Sequence, residues 1–393
     1  MSSISSTTRY VSAFLHYCLI ATGLSTFAIG ALVNAATAQE NTPVNRPPTD
    51  GVATIAAKQP APQYGFRYVD PQTGADTNTG SQQSPLRTLT AALQTAAENT
   101  IIVLTPGNYS AATGEQFPIV MRSGITIQGQ AANRGQDVVI QGGGIYLSRT
   151  FARQNITLLG ANRAGLRGVT VTNPEPQGYG LWIESTSPVI SDNTFSGSSH
   201  DGVSIVGSSA PILKNNYFTQ NGANGITIYG YSRPELIENT FENTGFGINI
   251  AQNATPQLFR NRITRNKDGI VVQGKAQPIL RGNQIINNER DGLVAISTAM
   301  PHLGNQTDPG NNQFSGNGNL DINASATSQI IPNVGNQANQ TRGQLDDRST
   351  IAITLHPVRQ LATLNPMTVG GSIAANIGSD TTEMAKPAIT TPL

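Results

Sequence analysis

A histidine followed by an aspartate is the first pair of residues whose types could carry chemistry. His200 directly precedes Asp201, and an imidazole beside a carboxylate can act as a general acid or base. The glycine that follows gives Asp201 a structural alternative, because Asp-Gly is favoured where the backbone turns sharply. We therefore take His200 and Asp201 as candidate catalytic residues.

Two further aspartates occupy equivalent positions, each directly before a glycine. If Asp268 and Asp291 lie side by side, their carboxylates could bind Ca²⁺, share a proton or form the pair of a retaining glycosidase. Asp70 and Asp76, nearer the N-terminus, are a second candidate Ca²⁺ site. For all four residues the structural alternative is turn formation.

A third group could bind sugar instead of cleaving it. Trp182, Glu184 and Tyr229 lie in short alternating segments, at positions predicted to point outward from strands. Outward aromatic rings could stack on sugar rings, so these three residues are candidate saccharide-binding residues. Single exposed aromatic side chains are also common without any function.

These candidates lie in a region where three residue types recur with one period of 22–23 residues. A glycine opens each apolar run, a proline follows, and an asparagine comes five residues after each of the first five prolines. The glycines are Gly180, Gly202, Gly225, Gly247, Gly269 and Gly292, and the asparagines are Asn193, Asn216, Asn239, Asn261 and Asn283. Three series in one phase indicate an internal repeat.

Each repeat contains three short segments with one apolar face, which is typical of strands. Three strands per 22–23 residues predict one coil of an all-β, right-handed, single-stranded parallel β-helix. Less regular apolar runs extend the prediction to about ten coils over residues 100–325. We place the asparagines at corners, where they would adopt the left-handed conformation and bond from coil to coil.

The end of such a stack needs a cap, because apolar core and strand edges would otherwise be exposed. Ser84 and Pro85 fit the N-cap and first position of a helix, and the leucines that follow share one face. The sequence therefore predicts an N-terminal capping helix over residues 86–98.

The two ends of the chain lack the repeat. Residues 1–38 have the apolar stretch and A-x-A site of a cleaved signal peptide, although the stretch is long enough for a retained membrane anchor. Residues 39–63 form a Pro-rich linker, and the β-helix domain follows at 64–325, with a capping module at 64–110. Residues 326–393 are predicted to be a loosely ordered tail, in which 350–355 could form one docked strand.

Composition excludes several classes of function. The net charge is +1 and no basic run with interleaved aromatic residues is present, which argues against a nucleic-acid partner. The one cysteine lies in the signal peptide, so the processed chain would have neither disulfides nor cysteine metal sites. Signal cleavage would also leave no segment for membrane insertion.

The opening of the domain resembles a widespread module. The matching residues are 68–71, 74–80, 84–89, 92–93 and 106–109. They resemble a domain-of-unknown-function family at the start of pectin-lyase-like parallel β-helix proteins, and the later repeats are similar to generic parallel β-helix repeats. The resemblance implies the fold, a secreted or cell-surface location and saccharide ligands.

Two functions follow from these observations. The first is an exported, non-catalytic protein that binds polysaccharide or cell-surface glycan in the periplasm, at the cell surface or outside the cell. The second is a polysaccharide lyase, epimerase or glycoside hydrolase that uses carboxylates or His200 on an outward face, with Ca²⁺ as a candidate cofactor. The candidate catalytic residues are scattered along the sequence, whereas catalysis needs several groups close together at one site. This favours the first function, binding without catalysis.

Overall fold

The computed structural model describes residues 64–352, which fold into strands with one α-helix. The predicted signal peptide, the linker and most of the predicted tail lie outside these residues. The described strands are numbered β1–β31 in chain order, and nearly all belong to three parallel sheets. Each coil passes through sheets 1, 2 and 3 in turn. No helix among residues 64–352 is long and apolar enough to cross a membrane.

Sheet 1 contains the strands that begin at the repeated glycines. In spatial order they are β4 (Ile119–Val120), β8 (Ala152–Leu159), β11 (Gly178–Glu184), β14 (Val203–Val206), β17 (Asn224–Ile228), β20 (Phe246–Ile250), β23 (Asp268–Val272), β26 (Leu293–Ser297), β28 (Ile322–Thr327) and β30 (Thr341–Gly343).

Sheet 2 contains the strands that follow the prolines. They are β1 (Gly65–Val69), β2 (Thr100–Leu104), β5 (Ile125–Gln128), β9 (Gly165–Arg167), β12 (Val189–Ser191), β15 (Ile212–Lys214), β18 (Glu235–Ile237), β21 (Gln257–Phe259) and β24 (Ile279–Arg281).

Sheet 3 contains the strands that follow the asparagines. They are β3 (Gly107–Ser110), β6 (Val138–Gln141), β10 (Thr170–Thr172), β13 (Thr194–Ser196), β16 (Tyr217–Thr219), β19 (Thr240–Glu242), β22 (Arg262–Thr264), β25 (Gln284–Ile286) and β27 (Gln313–Ser315). Three strands lie elsewhere: β7 (Gly144–Ser148) pairs with β8, and β29 (Ile331–Pro332) pairs with β31 (Leu345–Asp346).

The predicted parallel β-helix is confirmed. Nine or ten parallel strands per sheet agree with about ten coils, and parallel crossovers within one sheet are right-handed. The inward columns are fully buried, and Phe195, Phe218 and Phe241 stack with ring centroids 5.1 and 4.6 Å apart.

The repeated glycines mark a close approach between coils. A Cβ atom at Gly225 would lie 2.6 Å from the carbonyl oxygen of Gly247, and one at Gly269 would lie 2.4 Å from that of Gly292. Other side chains are excluded because no Cβ fits at these distances. The glycine series is therefore a packing requirement of the stack.

The asparagine ladder is confirmed, but its predicted backbone conformation is wrong. Asn216 donates from its backbone N–H and its amide to Asn239 Oδ1, at 2.9 and 3.0 Å, and Asn239 repeats this with Asn261. The left-handed residue is the one before each asparagine, with φ of 54° at Asn215 and 57° at Glu238. The asparagine side chains must point inward to reach the next coil.

A second amide ladder follows the next corner and was not predicted. Asn266 donates to Asn288 Oδ1, and Asn288 donates to Asn317 Oδ1 at 2.9 Å. Each amide also donates to a backbone carbonyl of the preceding coil, such as Phe241 O or Ile263 O. These ladders satisfy buried polar groups that the corners would otherwise leave unpaired.

The capping helix is shorter than predicted. Helix α1 spans Leu89–Thr95, its N-cap is Thr88, and it packs against β1 and β2. Residues 84–88 stay non-helical because Asp76 accepts hydrogen bonds from the Arg87 and Thr88 N–H groups at 3.0 and 2.8 Å. Strands β28–β31 also carry regular structure past residue 325, where the sequence placed the end of the domain.

Candidate functional site

An antiparallel hairpin lies over the outer face of sheet 1. Strand β7 pairs antiparallel with the first half of β8, while the second half of β8 pairs with β11 in sheet 1. The loop between β7 and β8 carries Thr150 and Phe151, which reach β11. The hairpin is the only antiparallel strand pair among β1–β31, and it builds the site described here.

Glu184, at the end of β11, anchors this hairpin. Its Oε1 accepts from Ser148 Oγ at 3.0 Å and from the Thr150 N–H and hydroxyl at 2.8 and 2.6 Å, while its Oε2 accepts from Tyr146 at 3.0 Å. Burial alone would raise the pKa of Glu184, but these donors and the Trp182 indole hold the pKa below its usual value. Glu184 is therefore an ionised structural carboxylate.

Four aromatic side chains and His200 contact one another through T-shaped and tilted ring pairs, and we call this group the aromatic cluster. Phe151 lies 6.0 Å from Trp182 and 5.5 Å from Tyr229 between ring centroids, and Tyr179 lies 5.2 Å from Trp182. Tyr179 also contacts His200, with ring centroids 4.5 Å apart and ring planes tilted by 34°. Trp182 is only 3% exposed, whereas Tyr179, Phe151 and Tyr229 are half-buried.

His200 is held by its neighbour Asp201. The Nδ1–H donates to Asp201 Oδ1 at 2.9 Å, since a carboxylate can only accept, and in the neutral ring Nε2 then carries the lone pair. Burial alone would lower the pKa of His200, but the hydrogen bond and the charge of Asp201 raise it above its usual value. The imidazole side chain is 39% exposed, so it can meet a ligand.

Asp201 itself has its oxygens occupied. Oδ1 also accepts from the backbone N–H and amide of Asn224, at 3.2 and 3.1 Å, and Oδ2 accepts from Ser204 at 2.9 Å. Its side chain is 2% exposed. Asp201 therefore orients His200 and connects two coils by hydrogen bonds.

Both members of the first candidate Ca²⁺ pair, Asp268 and Asp291, have protein partners. Asp268 forms an ion pair with Arg290 and accepts from the Asp291 N–H at 3.1 Å. Asp291 accepts from the Leu320 N–H and the Asn323 amide, each at 3.0 Å. Burial raises the pKa of Asp268 against the effect of Arg290. Protein donors therefore contact both carboxylates, and a cation shared by Asp268 and Asp291 stays a prediction.

The second candidate Ca²⁺ pair, Asp70 and Asp76, also accepts hydrogen bonds from the protein. Asp70 accepts from the Gln72 and Thr73 N–H groups, and Asp76 accepts from those of Arg87 and Thr88. Both carboxylates stabilise turns. Within residues 64–352, no group of three or more His, Cys, Asp or Glu side chains could hold a metal ion.

A cavity of about 400 Å³ lies apart from these residues. Its walls include Leu93 of α1, Phe117, and Val120 of β4. None of the candidate catalytic or saccharide-binding residues lines it, so it has no part in the site.

Comparison with known proteins places this chain. A family model described as "Protein of unknown function (DUF1565)" matches residues 72–344. The chain belongs to the DUF1565 family. No curated protein matches it.

The DUF1565 chain is also similar to solved structures. It shares 14% identity and a TM-score of 0.57 with pectate lyase Pel9A, over 72% of this chain and 79% of that chain. With XylC in complex with xylose the identity is 12% and the TM-score is 0.45, over 69% of this chain and 67% of that chain. With the periplasmic alginate epimerase AlgG the identity is 12% and the TM-score is 0.40, over 67% of this chain and 82% of that chain. The pectate lyase likeness shows a shared fold.

The structure of this DUF1565 member revises the predicted saccharide-binding set. Trp182 and Glu184 do lie on sheet 1, but the hairpin buries both, so neither is the outward contact that the sequence suggested. Tyr229 stays half-buried in the cluster.

Sequence reasoning missed the roles of Tyr179 and Phe151. Tyr179 precedes Gly180 in the same register as Asp201, which is a signal that could have found it. Phe151 lies in a loop without periodicity, so no pattern identifies it.

Proposed function

We propose that this protein binds polysaccharide at the aromatic cluster on sheet 1 and does not cleave it. One observation carries the proposal: the Tyr179 and His200 rings lie 4.5 Å apart beside Trp182, and the His200 side chain is 39% exposed. Ring faces bind the apolar faces of sugars, and an oriented imidazole nitrogen can hydrogen-bond a hydroxyl. Hydrogen bonds to Glu184 hold the hairpin against this patch, and a preorganised surface loses less entropy on binding.

The state of the carboxylates supports binding over cleavage. Glycoside cleavage needs a carboxylic acid or carboxylate that reaches the substrate, in most cases two of them. Here Glu184 and Asp201, the carboxylates next to the cluster, each accept hydrogen bonds from several protein donors. Neither is available to transfer a proton without loss of those bonds.

The fold supports a polysaccharide ligand. The pectate lyase shares this architecture by its TM-score of 0.57, and its name describes action on pectate, an acidic polysaccharide. A long parallel stack offers a repetitive surface that suits a repetitive polymer. The proposed ligand class is therefore an acidic or neutral polysaccharide, met after export to the periplasm, cell surface or exterior.

A second candidate function is catalysis by His200. The Asp201–His200 hydrogen bond fixes the ring in the way that general bases are fixed in enzymes. On this alternative, His200 Nε2 would remove a proton in a lyase or epimerase reaction. The alternative predicts products, whereas binding alone predicts an unchanged polymer.

Retention on immobilised glycans tests the proposal. The purified protein is applied to a panel of polyuronates and neutral polysaccharides, beside Tyr179→Ala and a matched control, Tyr217→Ala, on the outer face of sheet 3. We expect the native protein and the Tyr217 variant to be retained, and the Tyr179 variant to lose about tenfold or more in affinity, the loss of a good aromatic contact. Equal retention of all three would place binding elsewhere, and no retention on any polymer would reject the proposed function.

A further inference from the structure

The outer edge of strand β7 has the properties of a docking site. Among the described strands β7 pairs only with β8, so its second edge presents backbone N–H and C=O groups that have no strand partner within residues 64–352. Tyr146 and Ser148 bond Glu184, so alternation turns Ile145 and Leu147 away from sheet 1. These two apolar side chains are 50 and 75% exposed. Strand β7 therefore exposes a strand edge and an apolar face together.

The other edge strands of sheet 1 carry features that normally prevent pairing between molecules. Short length, a proline or a charged side chain protects an edge strand from another chain. Strand β4 has two residues and directly follows Pro118, and β30 at the far end of the sheet contains the exposed Arg342. Strand β7 has five residues, and none of them is charged or a proline. It therefore lacks the protection that its counterparts have.

We propose that β7 pairs antiparallel with β7 of a second copy of this chain, across a two-fold axis. Two-fold dimers are the commonest homo-oligomers, and an antiparallel pair of identical strands has this symmetry. The pairing extends the hairpin into a four-stranded antiparallel sheet with the order β8–β7–β7–β8. With the axis perpendicular to this sheet, the outward side chains of both copies lie on one face.

One register places the apolar residues opposite each other. With Tyr146 on the axis, Ile145 of each copy faces Leu147 of the other, which makes two apolar cross-strand pairs. With Ile145 on the axis, Leu147 would face Gly143. With Leu147 on the axis, Ile145 would face Arg149. The register centred on Tyr146 is therefore the one that buries both apolar side chains against apolar partners.

Charge supports a second copy as the partner. Residues 141–155 contain Arg149 and Arg153 and no Asp or Glu. In the proposed register Arg149 faces Gly143 of the second copy. Arg153 lies on β8, opposite Leu147 and one strand away from the dimer contact, so like charges do not face each other. An acidic strand would instead bring carboxylates against apolar side chains, where their desolvation is costly.

Sedimentation equilibrium of the purified protein tests the dimer. The native protein is compared with Leu147→Lys and with a matched control, Ile330→Lys, because Ile330 is another apolar side chain with 55% exposure. We expect the native protein and the control to form dimers with the same dissociation constant. Leu147→Lys should raise that constant by about tenfold or more, because a charge enters both apolar pairs. Circular dichroism should be the same for all three proteins.

Disulfide formation tests the register. Cys18 is the only cysteine of the chain, and it is replaced by serine in each protein used. An equal mixture of Ile145→Cys and Leu147→Cys should give covalent dimers on mild oxidation. Each variant alone should give several-fold less, because a disulfide needs Cβ atoms ~3.5–4.5 Å apart and only directly facing residues come close to this distance.

Three results would overturn the proposal. A monomer at every concentration would leave the edge of β7 to a different protein. A dimer that Leu147→Lys does not weaken would have its interface on another surface. Disulfides that form as readily in each single variant as in the mixture would show random collision instead of the register centred on Tyr146.

Discussion

In the first asparagine ladder, both the amide NH₂ group and the amide oxygen of Asn239 have hydrogen-bond partners. Asn239 donates to Leu213 O at 2.9 Å and to Asn261 Oδ1 at 3.1 Å, and its own oxygen accepts twice from Asn216. The side chain is 1% exposed, so no water replaces a lost partner. The period of 22–23 residues therefore reflects a hydrogen-bond requirement at one corner as well as strand packing.

The substitution Asn239→Ala should lower the free energy of unfolding by ~2–4 kcal/mol, because it leaves buried donors and acceptors without partners. Urea unfolding followed by circular dichroism measures the change. Asn319→Ala, at an exposed turn position, is the control and should change stability by less than ~0.5 kcal/mol. Equal effects of the two substitutions would refute a structural role for the ladder.

His200 should give a small, pH-dependent stabilisation. Its folded pKa is raised above the ordinary 6.5, so its contribution is fully present below that value and is lost as pH rises through the folded pKa. The pair is partly exposed, so the effect should be under ~1 kcal/mol. Unfolding of native protein and His200→Gln across pH 5 to 8 should converge at the alkaline end. A difference that grows with pH would contradict this account.

At the scale of elements, the hairpin β7–β8 determines which side chains of sheet 1 can meet a ligand. It buries Trp182 and Glu184 and leaves Tyr179 and His200 partly exposed. The sequence could not show this arrangement, because residues 144–151 precede the regular repeats and carry no period. A strand pattern predicts which face a side chain occupies, but not whether another segment covers it.

Glu184→Gln should loosen the hairpin. A neutral amide is a weaker acceptor, and its NH₂ group faces donors from Thr150, Tyr146 and Ser148. Trp182 is the one tryptophan of the chain, so its fluorescence should shift to the red, and amide exchange of residues 144–155 should accelerate. Glu98→Gln, an exposed control, should change neither signal.

The same anchor predicts an acid transition. The folded pKa of Glu184 is held below its ordinary 4.5, so its stabilising contribution is present above that value and is lost as pH falls through the folded pKa. The Trp182 emission of the native protein should therefore shift only in acid, and that of Glu184→Gln should already be shifted at neutral pH. Identical acid profiles for the two proteins would show that another group controls the hairpin.

The capping helix shows why element boundaries are harder to predict than element types. Ser84 and Pro85 have the composition of a helix start, yet Asp76 and Glu115 hold the backbone so that α1 begins at Leu89. Glu115 accepts from the Leu89 N–H at 2.6 Å and lies 26 residues away in sequence. Local helix propensity cannot predict a contact between residues so far apart in sequence.

At the scale of the whole molecule, the repeat alone was enough to predict the stack, its inward columns and the first asparagine ladder, but not the second ladder. Each coil contacts mainly the coils next to it, so a repeat of one period in the sequence is enough to predict how most coils are built and stacked. The candidate site departs from the repeat in part: the hairpin and Phe151 are irregular, whereas Tyr179 shares with Asp201 the position before a repeated glycine. Asp268 and Asp291, candidates taken from the repeat, accept hydrogen bonds from the backbone of the protein.

Recovery of a bound polymer tests the central claim most directly. A polysaccharide retained by the native protein is eluted after prolonged incubation, and its chain length, unsaturated ends and uronate composition are compared with those of polymer kept on Tyr179→Ala. The account predicts retention by the native protein and a polymer unchanged in all three respects. Shortened, unsaturated or epimerised polymer, lost on His200→Gln, would contradict it and would identify the protein as an enzyme.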